Sequence, residues 1–296
     1  MTHVAARKAR LLTTLLAAAT CTALAQPAPL VSRIISTAPS TTEMLFALGL
    51  GHQVIAVSSF CRYPPQVRSL PNVGNVLHPD FERIVALRPD LVIVNAQLPE
   101  LGTRLAAARI PFVSVRTTTL ADVSTAMLRI GEAAGIGSHA RQVVAALDEG
   151  LQDVRRRVPA GRRPKVLLIM GRMPGALRGM FAVGAGSYLS DLVDIAGGVN
   201  VVADVSPLPY PQVSLESVLS LNPDVIVDTV DMGQTDVDRV RRNSESWELW
   251  KRYPTIAAVR SRRVRAAETD ALFVPGPRVV DAAAWLADVI HGVEHR

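Results

Sequence analysis

One segment of this chain occurs twice. Residues 80–94 read Asp-Phe-Glu-Arg-Ile-Val-Ala-Leu-Arg-Pro-Asp-Leu-Val-Ile-Val, and residues 214–228 read Ser-Leu-Glu-Ser-Val-Leu-Ser-Leu-Asn-Pro-Asp-Val-Ile-Val-Asp. Glu82 and Glu216, Leu87 and Leu221, Pro89 and Pro223, and Asp90 and Asp224 coincide at one offset of 134 positions. Each copy predicts a short helix capped by Asp80 or Ser214, a Pro-Asp turn and a β-branched strand. Two copies so far apart predict two similar lobes with something held between them.

A chain of 296 residues, 49% hydrophobic, has ample material for two cores. Residues 1–25 stand apart. Arg7, Lys8 and Arg10 precede an apolar run from Leu11 to Ala19, and Ala23-Leu24-Ala25 completes a signal-peptide pattern with cleavage expected before Gln26. Cys21 offers a lesser lipoprotein alternative, since Thr20 occupies a place where a smaller residue is expected. Without the leader, 29 basic residues face 26 acidic ones, a charge of +3, so the basic precursor is weak ground for nucleic-acid binding. Cys61 is then the sole cysteine, which excludes an internal disulfide and predicts a buried thiol.

Strand-like runs at Arg33–Ser36, Val54–Ser58, Leu91–Val94 and Phe112–Val115 alternate with helical patterns at Thr41–Leu48, Phe81–Leu87, Pro99–Ala108 and Leu120–Ala134. Ser40 and Glu43 read as a capping box for the first of these helices. The same grammar returns in strands at Lys165–Met170, Val199–Val202, Val225–Val227 and Val264–Ala266, with helices at Ser187–Ala196, Leu215–Leu221 and Val279–Ile290. Alternation of this kind implies mostly parallel sheets covered on both faces. Between the halves, Val143, Leu147, Leu151, Val154 and Val158 share one helical face, with Ser138 as the expected cap and Pro159 as the stop. The fold class is therefore α/β: a lobe over 31–135, a connecting helix over 136–160 and a second lobe over 161–296.

No H-E-x-x-H, G-x-S-x-G or P-loop is present, and the histidines lack zinc spacing, so neither a metal site nor a catalytic residue is expected. Ligands of parallel α/β sheets gather beyond the carboxyl ends of the strands. That rule nominates the loops carrying Phe60, Tyr63, Tyr210 and Phe273, with polar support from Arg62, Arg116, Arg172 and Asp270. Exposed rings suit a large, flat, partly apolar ligand. Trp247, Trp250 and Trp285 fall in helical patterns and read as core. An acid in a first helical turn is favoured by the helix dipole, yet that does not explain Glu82 and Glu216 at matched places. Two symmetry-related carboxylates fit basic sockets on a symmetric partner.

Five segments together resemble the helical-backbone periplasmic substrate-binding proteins of ABC importers, which carry cobalamin, haem and iron–siderophore complexes. They are Arg33-Ile-Ile-Ser-Thr-Ala-Pro-Ser-Thr-Thr-Glu43, Tyr63-Pro-Pro-Gln66, Glu82-Arg-Ile-Val-Ala-Leu-Arg-Pro-Asp90, Pro211-Gln-Val-Ser-Leu-Glu216 and Pro275-Gly-Pro-Arg278. The likeness spans essentially the whole mature chain and is nearer to the cobalamin carriers. It implies a monomer with an interlobe ligand cleft, no resident cofactor, and a corrinoid as transported ligand. Ligand contacts then fall on Phe60, Tyr210 and the stretch Thr269, Asp270, Ala271, Leu272 and Phe273. Glu82 and Glu216 would dock onto a dimeric permease in the inner membrane. Haem or a ferric siderophore is the alternative cargo, haem requiring an axial ligand from His78, Tyr63, Tyr210 or Met170. A secreted α/β hydrolase is the alternative from another class.

Overall fold

The computed structural model describes residues 31–229, 239–267 and 269–292. The expected leader over 1–25, Cys21, the cleavage point at Ala25 and Gln26, and Glu268 lie outside the described residues.

Two separate sheets form. The first contains β1 (Ile34–Ser36), β2 (Val54–Val57), β3 (Leu91–Asn95) and β4 (Phe112–Val115), all parallel, in the order β2-β1-β3-β4. Helices α1 (Pro39–Ala47), α2 (Phe81–Ala86) and α3 (Pro99–Ala107) are its crossovers, and α4 (Leu120–Ala133) follows β4. Crossover helices cover both faces of a parallel sheet. Ile34 and Ile93 accordingly point into one apolar cluster, while their neighbours Ile35 and Val92 point into another.

The second sheet contains β5 (Lys165–Gly171), β6 (Met180–Ala182), β7 (Val199–Asn200), β8 (Gln212–Val213), β9 (Val225–Asp228) and β10 (Val264–Ala266). Its parallel members stand in the order β7-β5-β9-β10, which matches the first sheet strand for strand. The helices are α6 (Tyr188–Ile195), α7 (Leu215–Leu221), α8 (Arg239–Trp250), α9 (Ala257–Arg260) and α10 (Val279–His291). The antiparallel strands β6 and β8 are additions. They extend the edge that β7 occupies: β6 pairs with the carboxyl end of β5, where β7 pairs only with its start, and β8 pairs with β6. Sequence patterning missed them, as two or three residues are too few to show a period.

The duplicated segment does the same structural work in both lobes. Asp80 Oδ1 accepts from the Arg83 N–H at 3.0 Å, and Ser214 Oγ accepts from the Ser217 N–H at 3.2 Å, capping α2 and α7. Beyond each helix the chain turns through a left-handed residue, Arg88 at φ 47° and Asn222 at φ 46°. The Asp of each Pro-Asp turn then grips the start of the neighbouring central strand. Asp90 accepts from the N–H groups of Ser32 and Arg33, both at 3.0 Å, and Asp224 accepts from that of Lys165 at 2.9 Å. In return Arg33 and Lys165 donate to the carbonyls of Leu87 and Leu221, at 2.6 and 3.2 Å, closing the helix ends.

A single helix, α5 (Gly137–Arg157), connects the lobes. Ala140, Val144, Leu147, Leu151 and Val154 are buried along it. They belong to the same apolar cluster as Met44 and Leu45 of the first lobe and Val166, Leu192 and Leu286 of the second. Each such aliphatic side chain contributes about 1.5–3 kcal/mol when fully buried. Gly131 of α4 permits the close approach, since a Cβ there would stand 2.2 Å from that of Ala140.

Two expected caps are corrected. Ile136, without a side-chain bond, precedes α5, and the Ser138 hydroxyl instead accepts from Arg141. Helix α1 begins earlier than expected because Pro39 supplies a preset φ at the first helical position. Ser40 and Glu43 are consequently buried inside the helix rather than forming its capping box.

Candidate functional site

Parallel registers place the carboxyl ends of β1–β4 on one rim of the first sheet and those of β5, β9 and β10 on one rim of the second. Arg278, just before α10, joins residues from both lobes. Its Nε donates to Glu43 Oε2 at 2.9 Å and its Nη2 to Glu43 Oε1 at 2.6 Å. Nη1 donates to Asp270 Oδ1 at 2.6 Å, and the guanidinium carbon lies 4.3 Å from the centre of the Tyr63 ring. A planar fork matched to a carboxylate, with a ring on its face, is a geometry only arginine provides. Burial pushes the Glu43 carboxyl up, against the pull of Arg278. Burial also opposes the Arg278 cation, but its bonds to Glu43 and Asp270 outweigh that and raise its pKa.

Sequence reasoning missed this pair as a contact. Its members lie 235 positions apart, and no local pattern joins them.

Phe60 and Tyr63 sit on the segment between β2 and α2, where they are 55% and 45% exposed. Tyr210, 41% exposed, sits on the segment between β7 and α7, which the matching strand order makes the equivalent place in the second lobe. Burial pushes its hydroxyl up to about 12. The buried Tyr188 hydroxyl donates to the Leu272 carbonyl at 2.6 Å and is pushed well up by burial and by its neighbour Tyr210. A chain of contacts therefore runs from Tyr63 through Arg278 to Asp270 in the 3₁₀ turn Asp270–Phe273, and Tyr188 bonds the same turn at Leu272.

Thr269 caps that turn, its Oγ1 accepting from the Ala271 N–H at 3.2 Å. Asp270 is exposed and Phe273 half-buried, but Ala271 and Leu272 are core residues. Their side chains face inward, which corrects the expectation that they meet a ligand. Arg172 is a second correction. Its side chain is only 2% exposed, and its Nε donates to both Asp228 oxygens at 3.1 and 3.0 Å. Asp228 also accepts from Ser246 Oγ at 2.8 Å and Trp250 Nε1 at 3.0 Å, so α8 seals this strand-end arginine beneath it. Arg62 remains exposed and lines a groove of about 390 Å³ with Ser58, Cys61 and Arg68. Arg116 pairs with Asp122 at 2.8 Å.

Cys61 is buried against the hydroxyls of Thr42 and Ser58, at 3.1 and 3.3 Å, and burial pushes its thiol up, which disfavours reaction. His78 is exposed. Among the described residues no group of three side chains is placed to hold a metal ion, and no helix is long and apolar enough to cross a membrane. A groove of about 840 Å³ on the second lobe, bordered by Met173, Gln212, Glu216, Arg252 and Tyr253, contains none of the exposed rings.

Glu82 and Glu216 both stand exposed in the first turns of α2 and α7. Glu82 contacts Arg104 at 3.3 Å. Hydrogen bonds from its own backbone N–H and from Ser214 hold the Glu216 carboxyl below its ordinary range.

The periplasmic binding protein family matches residues 34–270. The chain is 30% identical over 261 residues to the vitamin B12-binding protein of Vibrio cholerae, covering 88% of each. The crystal structure of the periplasmic vitamin B12 binding protein BtuF of Vibrio cholerae superimposes with a TM-score of 0.74 at 28% identity, over 90% of this chain and 99% of that one. The periplasmic heme-binding protein RhuT of Roseiflexus sp. RS-1 gives 0.74 at 27% identity, over 88% and 98%. The match of the family model over residues 34–270 and the 30% identity over 88% of both chains show that the chain belongs to the periplasmic binding protein family.

Proposed function

We propose that this chain is an exported solute-binding protein that carries a corrinoid of the vitamin B12 type to a dimeric ABC permease in the inner membrane. The observation that carries the reading is its likeness to a vitamin B12-binding protein over 88% of both chains. The exposed rings of Phe60, Tyr63 and Tyr210, at equivalent places in the two lobes, support it with surfaces suited to a flat macrocycle. Asp270 and Arg62 supply polar anchors at the same rims. Binding requires no covalent step: the corrinoid is cargo rather than a resident cofactor, and energy for transport comes from the partner's ATPase. The leader directs export, and the mature protein works as a monomer that presents Glu82 and Glu216 to the permease. The curated relatives are named for binding, which gives the hydrolase alternative no support.

Haem is the second reading, favoured by the likeness to RhuT. Titration of the purified protein with cyanocobalamin, hemin and a ferric siderophore, followed by fluorescence and visible absorbance, separates the two. Submicromolar affinity for cyanocobalamin is expected, weakened about tenfold by Tyr63→Ala or Tyr210→Ala, the scale of a buried aromatic contact. Binding of hemin alone, with a Soret shift abolished by substituting His78 or one tyrosine, overturns the corrinoid assignment.

A further inference from the structure

The duplicated helices repeat more than their acids. Val85 is 37% exposed and Leu219 is 38% exposed, and they stand at the same offset as Glu82 and Glu216. Between them and the acids, Ile84 and Val218 are both completely buried, so the two helices sit on their sheets in the same rotation. Residues three apart on a helix are surface neighbours. Each lobe therefore presents one carboxylate and one aliphatic side chain side by side, in an arrangement that the strand order repeats in the other lobe.

A single exposed aliphatic residue needs no explanation. Matched exposure at two positions related by the internal duplication does, because the surrounding structural residues already have tasks. The caps, the left-handed turns and the Asp clamps hold each helix against its sheet. The Val85 carbonyl accepts from the Arg88 N–H at 3.0 Å in the turn, but the side chains of Val85 and Leu219 take part in none of these.

We infer that Val85 and Leu219 are a pair of apolar contact points in the docking surface, each entering a shallow apolar hollow beside the basic socket that receives its glutamate. The occupant is the symmetric pair of permease subunits, chosen because a pseudo-twofold surface with two acids and two aliphatic residues is complementary to a true twofold with two cations and two hollows. The inference rests on the docking role proposed for Glu82 and Glu216 and adds a component that salt does not screen. The acids steer and orient the encounter, while the aliphatic pair slows dissociation.

The test uses the full mature chain and the source organism's vitamin B12 permease in lipid nanodiscs, with ATPase stimulation and complex affinity read at low and high salt. Val85→Ser with Leu219→Ser should leave cyanocobalamin affinity unchanged, lower the melting temperature only modestly, and weaken docking about tenfold at both salt concentrations, the scale of truncated interface contacts. Glu82→Lys with Glu216→Lys should abolish docking at low salt. The exchange Val85→Leu with Leu219→Val should retain wild-type docking. If the serine pair docks like wild type while the lysine pair fails, the aliphatic contact is refuted and the role of the acids stands. If the lysine pair also docks normally, the docking surface itself is misplaced.

Discussion

The two lobes share a strand order and a clamp, yet they differ at the end of the repeated strand. Val94 is the penultimate residue of β3 in the first lobe, and Asp228, the last residue of β9, stands at the same repeat position. Val94 packs among aliphatic residues, whereas Asp228 gathers Arg172, Ser246 and Trp250 into a buried polar cluster. The second lobe also inserts β6 and β8, which pair with each other, and β8 follows directly on the segment bearing Tyr210. Duplication thus preserved what holds a helix to a sheet, and divergence collected at the rim where the lobes differ in what they offer a ligand.

Four experiments break or sharpen this contrast. The largest effect is expected at Asp228. Asp228→Ala strands the Arg172 cation in the interior and should cost about 3–5 kcal/mol in denaturant unfolding, whereas Val94→Ala loses only methyl contacts. Replacing both ions, Arg172→Met with Asp228→Leu, should recover only part of that loss, because Ser246 and Trp250 keep buried donors without their acceptor. Equal costs at Val94 and Asp228 would remove the distinction between the lobes.

Next is the link that joins them. Arg278→Ala leaves Glu43 buried without its cation, at about 2–4 kcal/mol at neutral pH. The Glu43 pKa already lies above its ordinary 4.5 because of burial, and losing Arg278 raises it further. The folded state then keeps a proton that the unfolded chain releases, so the deficit is full at neutral pH and shrinks as pH falls toward 4.5. A deficit that grows on acidification contradicts the pairing.

A smaller effect, confined to the second lobe, is expected at Gly184. A Cβ there would meet the Leu208 carbonyl oxygen at 2.1 Å and Pro211 Cδ at 2.8 Å. Gly184→Ala should cost about 1–3 kcal/mol and weaken ligand binding by displacing Tyr210. Unchanged affinity would take Tyr210 out of the site.

The smallest effects should be nearly equal in the two lobes. Asp90→Asn and Asp224→Asn each weaken one clamp and should lower Tm by about 2–4 °C in thermal melts. The hydroxyl and backbone of Ser32 hold the Asp90 carboxyl below its ordinary 3.8. Its contribution is therefore present above 3.8 and lost as pH falls through the folded value, so Asp90→Asn should flatten the acid limb of the Tm profile. A large inequality between the two variants would mean that the clamps are not equivalent.

The repeat exposed the architecture because its residues act locally: a cap, a turn and a strand lie within fifteen positions, and their periodicity survives in both copies. The β-strands of the first lobe were legible for the same reason. What escaped depends on distant chain segments. Glu43 looked like a capping residue until Pro39 shifted the helix start and Arg278 arrived from the far end of the chain. Arg172 occupies the expected strand end, but nothing nearby in sequence reveals that α8 covers it. The strand-end loop at 269–273 was correctly located as a segment, while the inward turn of Ala271 and Leu272 follows from the tight 3₁₀ geometry that composition does not announce.

The unbroken cluster through α5 also governs how the molecule comes apart. Met44, Leu147 and Leu286 share one apolar mass, so neither half could melt and leave the other's interior dry. Calorimetry should register one endotherm rather than two. Cargo gripped between the halves would then raise the melting temperature of the entire chain, including the C-terminal helix.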